Sequence, residues 1–132
     1  MKRSEKFLGV GLAWPFTVGA GGGLDLSRAE ADIAQSIRII LSTRPGERRM
    51  RPEFGCRIHD YVFSPNTTIT HRRMEEAVIR ALDRFENRIE AVEAKARGSL
   101  EEPDLVEIHV SYRVRKVNSA FNLVYPFYLE GS

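Results

Sequence analysis

A single cysteine, Cys56, stands among 132 residues. The chain can therefore close no disulfide within itself, and the expectation is a reduced thiol in a cytoplasmic protein. Charge of one sign is also lacking. The 20 basic side chains face 18 acidic ones for a net charge of +2, a balance that does not by itself call for a nucleic-acid partner. Histidines are few and scattered: His59, His71 and His109 share no ligand spacing with one another or with Cys56, so neither a metal nor any other cofactor is expected. No serine sits in a G-x-S-x-G or comparable context, which speaks against a serine nucleophile. Nor does any apolar run approach the ~18 residues of a membrane span. At the N-terminus Lys2, Arg3 and Lys6 precede Phe7 to Phe16, and Val18-Gly19-Ala20 would suit a signal peptidase. Glu5 in the charged region and Gly9, Gly11 and Pro15 in the apolar one count against a secretory leader, and none is expected.

What the chain does have is an ordinary globular composition, 42% hydrophobic and 29% charged, enough for one core. A single domain over 1–132 is expected, with 1–13 as a flexible arm. Phe16 to Val18 and Leu24 to Leu26 alternate apolar and polar residues around Gly19 to Gly23, which reads as a small hairpin. A phosphate-cradling loop is the weaker alternative there, because Leu24 replaces the third glycine of G-x-G-x-x-G and no P-loop lysine follows. Ser27 and Glu30 form a capping box, after which Ile33, Ile37, Ile40 and Leu41 mark one face of a helix that Pro45-Gly46 ends. Thr67 to Thr70 offer caps for a second helix, with Met74, Val78, Ala81, Leu82 and Phe85 on its apolar face. Its other face carries Arg72, Arg73, Glu75, Glu76, Arg80, Asp83 and Arg84, a mixture that reads as solvated. Asn87 tolerates the left-handed conformation of a helix terminus.

Three strands are predicted next. Val92, Ala94 and Ala96 alternate with charged residues, and Gly98 to Asp104 is a loop. Val106, Ile108, Val110, Tyr112 and Val114 alternate strictly with polar residues, the pattern of a sheet with one buried face. After a turn at Asn118-Ser119, Phe121, Leu123, Tyr125, Phe127 and Leu129 point one way and Asn122, Val124, Pro126 and Tyr128 the other. Pro126 lacks a ladder donor and puts this last strand at a sheet edge. From Phe121 to Leu129 no side chain is charged, although edges are ordinarily blunted by charge. Such an edge suits pairing with a strand of another chain.

Between the helices lies Thr43 to Asn66, too long for an ordinary joint and, with Met50, Phe54, Ile58, Tyr61, Val62 and Phe63, too apolar for a disordered one. An ordered central loop is expected, with Gly55 relieving a tight spot. Arg48, Arg49 and Arg51 could hold phosphate, but no aromatics interleave with them, and arginine is also an interface residue.

The run Thr43-Arg-Pro-Gly-Glu-Arg48, then Met50-Arg-Pro-Glu-Phe-Gly55 and Val62-Phe63, with Phe85-Glu86-Asn87-Arg88-Ile89 downstream, resembles the small baseplate wedge proteins of contractile phage tails. This is the GPW-type, so-called lysozyme-like family, which includes the TssE subunit of type VI secretion baseplates. The resemblance runs from about Trp14 to the C-terminus. Ile58-His59-Asp60 and the ending Asn122-Leu-Val-Tyr-Pro-Phe-Tyr128 look most like members from extracellular contractile injection particles. The family's Glu-Pro-Arg triplet stands here as Glu86-Asn87-Arg88, which keeps both charges and loses the rigid middle residue.

The resemblance implies a structural, non-enzymatic subunit present in several symmetric copies, sixfold in number. Arg44, Gly46, Glu47, Arg48, Arg51, Pro52, Glu53, Phe54 and Gly55 would form its central motif. Glu86, Asn87 and Arg88 would dock on the helical core of the wedge. Phe121, Asn122, Leu123, Val124, Tyr125, Pro126, Phe127 and Tyr128 would accept strands from the first sheath ring. Other wedge subunits, sheath protein and tube or hub proteins would be partners, without nucleic acid or membrane; assembly would take place in the bacterial cytoplasm, and the finished particle could be released. The family's name raises glycoside hydrolysis, for which Glu47, Glu53 and Asp60 are the nearby carboxylates. Each has an arginine or histidine neighbour, poor tuning for a general acid. The fold expected is α+β: two amphipathic helices and the ordered central loop on a C-terminal three-stranded antiparallel sheet, with a small N-terminal hairpin.

Overall fold

A computed structural model describes residues 21–130. The expected absence of a leader, the flexible arm at 1–13 and the first hairpin arm, Phe16 to Val18, lie outside them. The described chain runs α1 (Gly21–Ser42), a 3-10 turn (Arg57–Tyr61), α2 (Thr68–Phe85), β1 (Ile89–Gly98), β2 (Leu105–Val114) and β3 (Ser119–Tyr128). The α+β class follows. The second hairpin arm is corrected, since Leu24 to Leu26 lie within α1. Alternation over three residues is too short to separate a strand from a helix, and Ser27, already inside the helix, does not cap it.

The chain divides into two units at Ile33/Ala34, inside α1. The first unit contributes only the N-terminal part of α1 to the described residues. In the second, Ile37, Ile40 and Leu41 of α1 are buried. The last carbonyls of this helix, orphaned by its ending, find donors. Thr43 Oγ1 donates to Ile39 O at 2.6 Å, Thr43 N to Ile40 O at 3.4 Å, and His59 Nε2 lies 2.8 Å from Leu41 O.

Thr67 caps α2, its side chain accepting from Thr70 N at 3.4 Å. Met74, Val78, Ala81 and Leu82 are buried as their spacing predicts, and α2 packs on β1 and on the 3-10 turn. The sheet is antiparallel in the order β1-β2-β3, with an irregularity in β1 between Glu90 and Glu93. Val106, Ile108, Val110, Tyr112 and Val114 of β2 are buried, joined by Ala94 and Ala96 of β1 and Leu123 and Phe127 of β3. The β2–β3 turn places Asn118 at φ 54, the one left-handed non-glycine residue among those described. The left-handed conformation considered for Asn87 is therefore found at Asn118, where a tight hairpin turn requires it.

The two outer strands differ. At β1, Ala96 N donates to the Glu75 carboxylate of α2 at 2.9 Å, so the helix occupies that margin. At β3 the parity of the backbone is set by Leu129 N, which donates to Asp104 O at 2.7 Å, and by an uninterrupted register from Leu105↔Tyr128 to Val114↔Ser119. Odd-numbered residues thus bond inward to β2, and Asn122, Val124, Pro126 and Tyr128 turn their backbone groups outward. The missing N–H of Pro126 falls on the outer side, where no ladder bond is lost.

Candidate functional site

Three features of the second unit carry the residues singled out above: a loop platform, a charged corner and the β3 margin.

The central stretch is folded down by its own backbone. Gly46 N donates to Pro52 O at 2.6 Å, Phe54 N to Arg51 O at 3.0 Å, and Cys56 N to Thr43 O at 2.9 Å. Arg44 N donates to the Glu47 carboxylate at 2.9 Å and Glu47 N returns a bond to Arg44 O at 3.0 Å. Gly46 and Gly55 have φ of +91° and +133°, a region that favours glycine. A Cβ on Gly55 would lie 2.5 Å from Thr43 O, which is the tight spot expected after Phe54. Cys56 caps the 3-10 turn, its sulfur accepting from Ile58 N at 3.5 Å. Burial pushes its thiol up to about 11, so the lone cysteine is a packing residue.

Aromatic and guanidinium groups join this platform to the end of α2. The Phe54 and Phe85 rings lie 5.0 Å apart. Arg48 and Arg51 stand 4.6 and 5.6 Å from the Phe54 centroid, and Arg51 and Arg84 stand 5.5 and 5.1 Å from that of Phe85. The basic residues of the stretch are thus spent partly on its own aromatic pair. Met50 and Phe63 depart from the expected packing: they are 92% and 72% exposed, while Ile58 is fully buried. Periodicity could not separate them, because an irregular loop has no fixed buried face.

Of the carboxylates weighed for hydrolysis, Asp60 pairs with Arg57 at 3.2 Å, Glu47 accepts the Arg44 amide, and Glu53 lies 3.4 Å from Arg51. A bond from its own backbone N–H, then Arg51 and Arg84, holds Glu53 below the ordinary carboxylate value. A general acid requires a shift in the opposite direction.

At the charged corner, Glu86 is 3% exposed, so this pair is not the solvated one that helix-end charges usually make. Arg88 Nε and a terminal nitrogen each donate to Glu86 at 2.7 Å, and Arg88 N adds a bond at 3.2 Å. Burial would raise the Glu86 carboxyl, but hydrogen bonds from Arg88 and Ser36 outweigh it and hold the group below its ordinary value. Asn87 is exposed, and its carbonyl accepts from Arg115 Nε at 3.0 Å, while Arg115 N donates to Arg88 O at 3.0 Å. Hydrogen bonds from Arg88 and Arg115 thus bridge the turn at Asn87. Ser36 and Arg115 were not among the expected site residues. No spacing in the sequence ties either to Glu86 or Asn87.

The β3 margin offers the outward backbone groups of Asn122, Val124, Pro126 and Tyr128, with Val124 and Tyr128 side chains 43% and 53% exposed. Arg38 of α1 reaches Val124 O at 3.4 Å, a long bond to one acceptor of the row. Phe121 packs on Tyr112 with centroids 6.0 Å apart, and Phe127 meets the His59 ring edge at 5.6 Å. Phe121 and Phe127 thus anchor the strand inward, and among the described residues only Arg38 bonds the outward backbone groups of Asn122 to Tyr128. Among the described residues no helix is long and apolar enough to cross a membrane, and no three His, Cys, Asp or Glu side chains cluster to hold a metal ion.

Residues 27–119 match the family of baseplate wedge protein gp25. The baseplate wedge protein gp25 of Enterobacteria phage T4 is 35% identical over 68 residues, 50% of this chain and 52% of that protein. The chain thus spans about half the length of that curated relative. A crystal structure from Geobacter sulfurreducens, provisionally named a tail lysozyme, is 46% identical and superposes with a TM-score of 0.72 over 88% of this chain and 97% of that one. A chain of the baseplate complex from the type VI secretion system superposes with a TM-score of 0.64 over 80% of this chain and 98% of its own, at 12% identity, a likeness of fold alone.

Proposed function

The chain belongs to the family of baseplate wedge protein gp25, and from that premise we propose that it is a non-enzymatic baseplate subunit joining the wedge to the first sheath ring of a contractile, phage tail-like injection machine. In this reading Glu86, Asn87 and Arg88 dock on the wedge core, and β3 templates sheath assembly by accepting a strand from a sheath subunit. Several symmetric copies, sixfold in the ring, would also neighbour tube or hub proteins. Assembly takes place in the bacterial cytoplasm, and the finished particle is free to leave the cell. The absence of turnover is part of the proposal. It is supported by the depressed Glu53 carboxyl and by the pairing of Asp60 with Arg57, and peptidoglycan hydrolysis by the wild type above a Glu53→Gln control would refute it.

The observation that carries the strand-addition reading is the β3 margin: an uncharged strand whose outward donors and acceptors belong to Asn122, Val124, Pro126 and Tyr128. Unpaired edges of this kind ordinarily risk aggregation. A strand from another chain would satisfy them with main-chain hydrogen bonds, and the alternating side chains would set its register. Removing the whole strand is a poor test, because Leu123, Phe127 and Leu129 are buried. Val124→Pro removes one outward N–H and leaves the bonds to β2 in place. The folded variant is expected to join the wedge yet fail to nucleate sheath polymerisation on the baseplate. Sheath assembly at the wild-type rate would sink the strand-addition mechanism.

A further inference from the structure

The face of α2 that reads in the sequence as solvated is in part the floor of a cleft. Arg73, Glu76, Ala77, Arg80, Ala81 and Arg84 share one side of the helix at intervals of three and four residues. With the central stretch as its opposite wall they enclose about 340 Å³. Four arginines, Arg57, Arg73, Arg80 and Arg84, line this space against two carboxylates, Glu53 and Glu76. Arg57 is engaged by Asp60 at 3.2 Å and Arg84 by the Phe85 ring. Among the described residues, Arg73 and Arg80 pair with no carboxylate. They stand two helical turns apart, about 10 Å along the axis. Beside them the floor is Ala77 and Ala81, short side chains that leave the space open.

We infer that this cleft docks a short acidic segment of another protein chain, with carboxylates on Arg73 and Arg80 and a small apolar side chain over Ala77 and Ala81. Charge complementarity carries the assignment. Guanidinium groups gathered in a concavity repel one another, and an incoming carboxylate relieves that repulsion while accepting the planar fork of donors that arginine offers. The volume suits about two or three side chains, so the segment enters as a loop or terminus, not as a packed helix. A nucleic acid fits less well. Glu53 and Glu76 would oppose a polyphosphate backbone, and the nearby Phe54 and Phe85 rings already carry guanidinium groups, leaving those faces unavailable for base stacking. The inference concerns neither Arg88 nor β3, so it stands or falls apart from the wedge and sheath reading.

The test uses the full ¹⁵N-labelled chain and a blocked peptide of alternating glutamate and alanine, with arginine Nε–Hε resonances as the readout. Saturable shifts are expected at Arg57, Arg73, Arg80 and Arg84, weakening as salt is raised from about 0.05 to about 0.3 M. Arg73→Ala/Arg80→Ala should lower the affinity by about tenfold or more, with circular dichroism and thermal unfolding unchanged. Arg73→Gln/Arg80→Gln, which keeps more of each stem, should do the same. Three results would overturn the inference: no saturable shift, equal shifts at Arg44 and Arg49 outside the cleft, or undiminished affinity in both double variants. Tighter binding of a single-stranded oligothymidylate than of the peptide would also overturn it and reassign the cleft to nucleic acid.

Discussion

Gly55 holds the most constrained backbone of the central stretch. Its φ of +133° is one that side chains rarely adopt, and an added Cβ would meet Thr43 O at 2.5 Å, the carbonyl that accepts the Cys56 amide. Gly55→Ala should therefore destabilise by about 2–4 kcal/mol in chemical denaturation, combining backbone strain with a lost hydrogen bond. Gly46 is the internal control. Its φ is +91° but nothing lies within 4 Å of the added Cβ, so Gly46→Ala should cost only about 1 kcal/mol. Equal costs would show that the close approach to Thr43 is immaterial. Glu86 makes a second residue-scale prediction. Its folded-state value lies below the ordinary 4.5, so the unfolded chain binds the proton more readily. The stabilisation is complete above about pH 4.5 and disappears as pH falls through the lower folded-state value. Glu86→Gln should cost about 1–3 kcal/mol near neutrality, and the gap to wild type should close on acidification below that point. A gap independent of pH would remove the ionised Glu86–Arg88 pair as its source.

Among the elements, the central stretch is the one whose order has to be explained without periodicity. Its 3-10 turn buries Ile58, caps itself on Cys56 and hands His59 to the end of α1. The Phe54–Phe85 pair fastens the preceding turn to α2. Trypsin cleavage of the native protein after Arg49 or Arg51 should accordingly be about tenfold or more slower than in Phe54→Ala, where local opening becomes easier. Identical digestion rates would mean that the aromatic clasp does not hold the loop. The contrast between the outer strands also belongs to this scale. Glu75 of α2 bonds an outward amide of β1 at 2.9 Å, whereas at the β3 margin Arg38 of α1 reaches Val124 O at 3.4 Å. Among the described residues the helix thus supplies an acceptor to the β1 margin, while the outward amides of Asn122, Val124 and Tyr128 meet no acceptor, the asymmetry on which the Val124→Pro experiment rests.

For the whole molecule, the burial of Glu86 changes how wedge docking is to be tested. Removing both members of the pair would confuse folding with assembly, because Glu86 also bonds Ser36 of α1. Arg88 is the partner with an exposed side chain, 48% accessible against 3% for Glu86. Arg88→Lys keeps a positive charge beside Glu86 while removing the two-pronged donor. The variant should retain its fold to within about 1 kcal/mol and bind reconstituted wedge subunits at least several-fold more weakly. Undiminished wedge binding would place the docking surface elsewhere on the molecule.

The α+β class, the spans of α2 and β2, the inward side of β3 and the edge position announced by Pro126 were all legible in the sequence. Each depends on a side-chain period of 3.6 or 2, or on a missing N–H, which are properties of neighbours along the chain. Gly55 was readable as a tight spot from its residue type, whereas the atom it approaches, Thr43 O, belongs to the tertiary structure. The capping box at Ser27 was misleading because α1 begins six residues earlier, at Gly21, and three residues of alternation cannot distinguish the two periods. Only the tertiary structure decided that Glu86 is buried, that Ser36 and Arg115 serve its corner, that Glu75 accepts from an outward amide of β1, and that half of a charged helix face is the floor of a cleft. These facts join residues separated by tens of positions, such as Asn87 and Arg115 or Glu75 and Ala96. Local periodicity is blind to them, because such partners meet only once the two helices and the sheet have buried their apolar faces.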